Sequence, residues 1–501
     1  MSARLVTDYL DNTVLKMPNK VAYADDKREV SFCMVQNEAY QLATVLNKSE
    51  YFKKPVVVYL DKSVECLISF LGIAYSGNFY SPIDTKMPES RIEKIICTLS
   101  PVAVVTDNAH YTDACRIFNN SEIIVYEDVL KQDIDYIKIE ENRRKIIDAD
   151  ILYVLFTSGS TGVPKGVIIT HKSVIDYTEW VTETFNISSS SIFGNQAPFY
   201  FDNSILDIYQ VVKNGASMYI LPEEMFAFPV RLLEYMNEKK INTIFWVPSA
   251  LCLVANLKAL NTVKLKYIKK ILFAGEVMPN KQLNMWRREY PDVCFANLYG
   301  PTEITDVCMY YIVDRNFKDD EPLPIGRPCK NTDILLLNEK DEQAKIGEIG
   351  EICVRGISLS LGYYKNSKKT QSAFVQNPLN DAYPEIIYRT GDLARYNEYE
   401  ELMYVCRKDF QIKHMGHRIE LGEIETAVSA IDKVEQNCCL YDEKRNRITL
   451  VYVGTVDGKF ITDELKNSLP DYMIPNRIIR IDNMPMNLNG KIDRVKLKEW
   501  L

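Results

Sequence analysis

Tyr153-Val154-Leu155-Phe156-Thr157-Ser158-Gly159-Ser160-Thr161-Gly162-Val163-Pro164-Lys165-Gly166 is the stretch on which the reading of this chain turns. An apolar run beginning at Ile151 enters six small residues and closes on Pro-Lys-Gly. The run reads as a buried strand, and the residues after it as a phosphate-binding loop. Glycines let backbone approach an oxyanion closely, successive N–H groups form an anion nest, and Lys165 can supply a point charge. A flexible Ser/Gly surface loop is the alternative, but such a linker does not usually issue from a buried strand. The pattern is neither G-x-x-x-x-G-K-[ST] nor G-x-G-x-x-G.

Outward from this loop, short apolar runs alternate with helical patterns. Val56 to Leu60, Val102 to Thr106 and Ile271 to Phe273 read as strands, and Val64 to Tyr75 as a helix. Uninterrupted apolar strands between helices indicate parallel sheets buried on both faces. After Asp392 the texture changes. Leu402 to Val405 and Leu450 to Val453 read as strands, with helices over Ile424 to Ile431 and near Leu465, as in a small α+β unit. The polar stretch Arg407-Lys408-Asp409 between the parts reads equally well as a hinge or a surface turn. The expected domains are 1–406, a hinge at 407–409, and 410–501.

Bulk properties agree with a multidomain globular protein: 501 residues, 47% hydrophobic and 26% charged. A net charge of −8 argues against a general nucleic-acid binder. The twelve cysteines form no C-x-x-C pair, so a zinc site is disfavoured and buried reduced thiols in a cytoplasmic protein are expected. No apolar stretch reaches the roughly 18 residues of a membrane span, and Met1-Ser2-Ala3-Arg4 begins no signal core.

The loop resembles the signature of the adenylate-forming superfamily, which includes acyl-CoA synthetases, luciferases and peptide-synthetase adenylation domains. Further motifs match in order: Tyr80-Ser81-Pro82-Ile83-Asp84, Phe201-Asp202-Asn203-Ser204, Asn297-Leu298-Tyr299-Gly300-Pro301-Thr302-Glu303, Gly347 to Glu351 with Gly362-Tyr363, Tyr388-Arg389-Thr390-Gly391-Asp392, Asp409 to Lys413 with Gly416 and Arg418-Ile419-Glu420, and Asn489-Gly490-Lys491-Ile492-Asp493-Arg494. The wording is most similar to stand-alone D-alanine–carrier protein ligases and to nonribosomal peptide synthetase adenylation domains, through Ala274-Gly275-Glu276, Phe410-Gln411-Ile412-Lys413 and Leu469 to Pro475. One departure stands out: Cys406 precedes Arg407 where the family usually has glycine.

The resemblance implies an α/β N-terminal domain of parallel sheets flanked by helices, with a small β-barrel region, and a small mobile α+β C-terminal domain. It implies activation of a carboxylate by ATP and Mg²⁺, with release of pyrophosphate. Thr157, Ser158, Gly159, Ser160, Thr161, Gly162 and Lys165 would hold the β- and γ-phosphates. Thr302 would lie near the α-phosphate and Glu303 on the metal. Asp392 would take the ribose hydroxyls, assisted by Arg407. Tyr299 would stack on adenine, with Gly275, Glu276, Asn297 and Gly300 around the nucleotide. Lys491 would bridge substrate carboxylate and phosphate, and reorientation about the hinge residue Asp409 would withdraw it and admit a thiol.

Asp202 would pair with a substrate α-ammonium, which aryl- and fatty-acid members do not require; bonding to nearby backbone N–H groups is the alternative. Asn203, Leu206, Ser249, Leu272, Ala274, Leu298, Asp306 and Val307 would surround the side chain. Asp306 either meets a second amine or hydroxyl of the substrate or, the reading preferred here, points away. D-alanine ligases typically have cysteine at the position of Ala274, which weakens a D-alanine assignment. The expectation is a cytoplasmic, monomeric amino-acid ligase that loads a separate phosphopantetheinylated carrier protein, with no nucleic-acid or membrane partner. An acyl- or aryl-CoA ligase is the alternative.

Overall fold

The computed structural model describes residues 3–159, 162–408, 411–443, 445–486 and 492–499. The chain divides into two compact units, one of residues 1–85, 100–155 and 167–406, the other of residues 86–99, 156–166 and 407–501. The second therefore gathers the loop after Leu155 and the helix Glu89–Leu99 with the C-terminal segment.

The first unit is built on two large, mostly parallel sheets. One runs Glu122–Val125, Ala103–Thr106, Pro55–Val58, Phe79–Pro82, Ile151–Thr157 and Lys165–Thr170. The other has nine strands. Its parallel centre pairs Thr243–Trp246, Lys270–Phe273 and Cys294–Tyr299 in register, Phe245 beside Leu272 and Leu272 beside Ala296. Side chains alternate between two cores. Phe245, Leu272, Ala274, Ala296 and Leu298 enter one apolar cluster, while Ile244, Trp246, Ile271, Phe273 and Phe295 enter another. Apolar residues at both parities are what a strand covered on both faces requires. At its edge the sheet turns antiparallel, Cys294–Tyr299 returning as Met309–Ile312. Where a small β-barrel region is expected, the described residues form an open five-stranded sheet in which Thr332–Leu337, Gly350–Gly356 and Ile386–Tyr396 pair antiparallel.

The helix Val64–Ser76 shows how local sequence sets these elements. The Ser63 hydroxyl accepts from the Cys66 amide at its start, and Gly77 ends it with φ 83°. Every residue between except Glu65 is buried. In the second unit, the hairpin Gln411–His414/His417–Glu420 precedes the helix Leu421–Ser429, and Val434–Asp442, Arg447–Gly454 and Arg477–Arg480 form a three-stranded sheet. Ile424, Val428, Cys439, Leu450, Leu465 and Met473 share its core. No disulfide joins the cysteines. No helix among the described residues is long and apolar enough to cross a membrane.

Buried His171 makes an acid-sensitive spot. It is 2% exposed, its Nδ1 takes the Val6 amide at 3.4 Å, and burial lowers its pKa to about 4. The unfolded chain takes up this proton near pH 6.5 and the folded chain only near pH 4, so stability falls with pH across that window. The loss approaches ~3 kcal/mol. Thermal unfolding at pH 7 and at pH 5 should therefore show a drop in Tm that is shallower in His171→Asn.

Candidate functional site

In the second unit, the loop entered from Ile151–Thr157 is shaped by Gly159, where any Cβ would overlap the Val163 carbonyl. The Gly162 amide donates to the Gly159 carbonyl at 2.9 Å. The loop's donors are engaged by groups far along the chain. Ser158 Oγ donates to the Arg418 carbonyl at 2.7 Å, and the Gly159 amide donates to Glu423 Oε2 at 3.3 Å. Lys165, 7% exposed, lies 3.7 Å from Glu420 Oε1. Arg91 pairs with Glu423, and Gln411 Nε2 donates to Glu420 Oε1 at 2.6 Å. Thr157 Oγ1 is buried without a partner. Backbone N–H and lysine here hold two carboxylates, which are oxyanions, so the loop is competent for anions and a phosphate would have to displace Glu420 and Glu423 from it. Ser160, Thr161, Asp409 and Lys491 lie outside the described residues.

In the first unit, the hairpin between Cys294–Tyr299 and Met309–Ile312 carries Thr302, Glu303, Asp306 and Val307. Gly300 permits its fold: a Cβ there would overlap the Asp306 carbonyl. Thr302–Ile304 form a 3₁₀ turn, and the Thr305 hydroxyl donates to the Ser358 carbonyl at 2.8 Å. Glu303 is fully buried, and its Oε1 accepts from the Tyr363 hydroxyl at 2.7 Å. Asp392, 2% exposed on Ile386–Tyr396, accepts from the Tyr299 hydroxyl at 2.6 Å through Oδ2. Tyr299 thus orients this carboxylate. Asn297 Nδ2 donates to the Pro324 carbonyl at 2.9 Å. Gly275 adopts φ 93°, and Glu276 Oε2 accepts from the Ser249 amide at 2.8 Å, tying two predicted site residues together. Arg407 is the last residue of the strand Leu402–Arg407. Cys406, which replaces the usual glycine, is an exposed residue of that strand rather than part of a turn.

Leu206, Leu272, Ala274, Leu298 and Val307 belong to one buried apolar cluster. Asp202 and Asn203 stand just before the helix Ser204–Asn214 that carries Leu206. Asp202 Oδ1 accepts from the Asn203 amide at 3.1 Å, and its backbone carbonyl from the Ile205 amide at 2.9 Å. The backbone-bonding alternative for Asp202 is therefore realised through one oxygen. Asn203 Nδ2 is buried without a partner. Asp306, 3% exposed, accepts from the Tyr177 hydroxyl at 2.6 Å through Oδ2. Two tyrosines at these carboxylates carry no role in the sequence reading: Tyr363, on Glu303, and Tyr177, on Asp306. Tyr363 lies in a quoted motif; for Tyr177 the helix pattern gives no signal.

A family model described as AMP-binding enzyme matches residues 10–364. A D-alanine–D-alanyl carrier protein ligase of Bacillus cereus is 31% identical, covering 98% of this chain and 98% of its own length. Zwittermicin A synthase ZmaJ of the same species is 30% identical over 97% of this chain and 93% of its own. Gramicidin S synthase 1 of Brevibacillus brevis is 28% identical, and this chain spans 44% of it. Among solved structures, the holo form of an NRPS protein containing adenylation and PCP domains superposes with TM-score 0.85 at 23% identity, over 99% of this chain and 84% of that one. An o-succinylbenzoate CoA synthetase of Bacillus subtilis gives 0.83 at 18%, over 98% of each. The fold is thus shared by enzymes named for different acids and acceptors, and the chain belongs to the family of AMP-binding enzymes, as AMP-forming ligases do.

Proposed function

We propose that this chain activates an amino acid as aminoacyl-AMP and passes it to the phosphopantetheine thiol of a separate carrier protein. The observation that carries the reading is Asp202, a half-buried carboxylate just before the helix Ser204–Asn214 that carries the buried Leu206. An α-ammonium is the substrate group whose charge and N–H donors a carboxylate can pair with. Full-length similarity to a D-alanine–D-alanyl carrier protein ligase supports the same reading.

In the first step a substrate carboxylate oxygen bonds to the α-phosphorus of ATP, and the bond to the bridging oxygen breaks to release pyrophosphate. Two anions must meet, so charge neutralisation and alignment dominate. Thr157, Ser158, Gly159, Ser160, Thr161, Gly162 and Lys165 bind the outer phosphates, and Thr302 the α-phosphate. Asp392, oriented by Tyr299, accepts from the ribose hydroxyls with help from Arg407. Gly275, Glu276, Asn297 and Gly300 shape the adenosine contact. Lys491 aligns carboxylate and phosphate, and Asp409 serves as the hinge. In the second step the thiol sulfur bonds to the acyl carbon and AMP leaves. ATP use fits a cytoplasmic enzyme, and we take it to act as a monomer.

The donor set fits magnesium. Mg²⁺ is usually held by one or two carboxylates plus substrate phosphates. Glu303 is a buried carboxylate, and no group of three or more His, Cys, Asp or Glu suited to a resident metal occurs among the described residues. The ion, held by Glu303, would neutralise charge on the phosphates. Glu303→Gln should raise the Mg²⁺ concentration needed for half-maximal adenylation, and an unchanged titration removes Glu303 from this role.

The test of the acceptor is a paired assay with holo-carrier and CoA, read by mass spectrometry. Aminoacyl-carrier with little aminoacyl-CoA is expected. Efficient formation of a CoA thioester from an acid without an α-amine would overturn the reading.

A further inference from the structure

Lys62 and Asp207 bracket the segment that carries Asp202. The segment leaves the strand Ile192–Asn195 at Gln196 and enters the helix Ser204–Asn214 after Asn203. Lys62 stands two residues before the helix Val64–Ser76. Its Nζ donates to the Gln196 carbonyl at 2.9 Å and to the Asn195 carbonyl at 3.4 Å, and lies 5.6 Å from the centre of the Phe199 ring. Asp207, fully buried on Ser204–Asn214, holds the same strand end from the helix. Its Oδ2 accepts from Asn195 Nδ2 at 2.9 Å.

Between these anchors no helix or strand covers residues 196–203. The Phe201 amide donates to the Pro198 carbonyl at 3.1 Å, and the Ser204 hydroxyl donates to the Phe201 carbonyl at 2.7 Å. Gln196 Oε1 accepts from the Val247 amide at 3.4 Å. The path to Asp202 therefore depends on side chains at its two ends. Burial lowers the Lys62 amine to about 7 and raises the Asp207 carboxyl to about 7. Asp207 Oδ1 and Asn195 Oδ1 are buried without a partner, a cost that packing alone does not require. Apolar residues of similar volume in place of buried ions are often neutral or stabilising. The contacts of Lys62 and Asp207 identify a use other than stability, since both fall on the residues that lead to Asp202.

We infer that Lys62 and Asp207 are positioning residues of the amino-acid site, which hold the ends of the segment 196–203 and so fix where the Asp202 carboxylate stands. The inference rests on the proposed pairing of Asp202 with the substrate α-ammonium. Lys62 acts through the Asn195 and Gln196 carbonyls, and Asp207 through Asn195 Nδ2.

The test is ATP–pyrophosphate exchange by the full chain with the proteinogenic amino acid that gives the strongest exchange and with its des-amino analogue. Lys62→Met keeps the length of the side chain and removes its N–H donors. Asp207→Leu keeps the volume and removes the acceptors. Each should lower kcat/KM for the amino acid by roughly 10- to 100-fold, the scale of a misplacement on the order of 1 Å. The loss should lie in the amino-acid KM, be smaller for the des-amino acid, and leave the KM for ATP unchanged. Tm should hold or rise. Lys62→Arg and Asp207→Asn, which keep a donor and an acceptor, should recover most of the loss. In an Asp202→Asn background Lys62→Met should cost little more, because the group it positions is gone. Should Lys62→Met not fold, Lys62→Gln, which keeps N–H donors at a shorter reach, carries the same comparison with a smaller loss in the same direction. Unchanged kinetics, equal losses for both acids and ATP with a lower Tm, or full additivity with Asp202→Asn overturns the inference and leaves amino-acid activation standing. If Asp202→Asn itself leaves the ratio of amino acid to des-amino acid untouched, the reading of Asp202 fails and the inference fails with it.

Discussion

Asp202→Asn should lose most amino-acid-dependent pyrophosphate exchange while binding ATP as wild type does. The substitution keeps the shape of the side chain and an oxygen able to accept the Asn203 amide, which Asp202 Oδ1 takes at 3.1 Å. It removes the negative charge opposite the proposed α-ammonium. Truncating one partner of a buried charge pair costs about 2–5 kcal/mol, roughly 30- to several-thousand-fold in affinity. The loss should appear in the amino-acid KM and in kcat/KM. Des-amino analogues, which bring no ammonium, should lose far less and could gain. If Asp202 serves only to bond the backbone, the variant will lower Tm and leave the ratio of amino acid to des-amino analogue untouched.

Lys491→Ala should nearly abolish aminoacyl-AMP formation and spare transfer from a preformed adenylate. The expectation follows from the Asn489 to Arg494 motif, in which a lysine ammonium neutralises charge between two approaching anions. Removing one such electrostatic contact typically lowers kcat by about 10²–10³. Rapid-quench measurement of each half-reaction, the second started from synthetic aminoacyl-AMP and holo-carrier, separates the two steps. Equal losses in both would contradict a lysine that serves adenylation alone.

Local chemistry carried much of the architecture. Ser63 and Gly77 bracket a helix because a hydroxyl caps the first amides and glycine takes φ 83° at the end. The apolar runs around Ile271 and Ile151 become central strands because both faces are covered. Partner choice was less legible. Leu402 to Val405, whose pattern groups with the small α+β texture although it falls within the expected 1–406 domain, belongs to the strand Leu402–Arg407, which pairs with Ile386–Tyr396; alternation along one strand does not name its neighbour. The segments 86–99 and 156–166 join the second unit through contacts such as Ser158 with Arg418, 260 residues apart. Nor did the motifs reveal that Glu420 and Glu423 would sit on the loop's donors, since a carboxylate's partner depends on tertiary placement. The candidate site divides the same way. Loop glycines, Glu303 and Asp392 follow from motif spacing, while Tyr177 lies on a helix whose pattern says only that it is buried.

The central claim, that the acid activated bears an α-ammonium, is tested most directly by substrate-dependent ATP–pyrophosphate exchange on the wild-type chain. The proteinogenic amino acids in both configurations, small diamino acids, and the corresponding des-amino, fatty and aryl acids form the panel. The account predicts strong exchange with one or a few amino acids, and at least about 30-fold less with each matching des-amino acid. Equal or greater exchange with a fatty or aryl acid would contradict it and return the chain to the CoA-ligase reading.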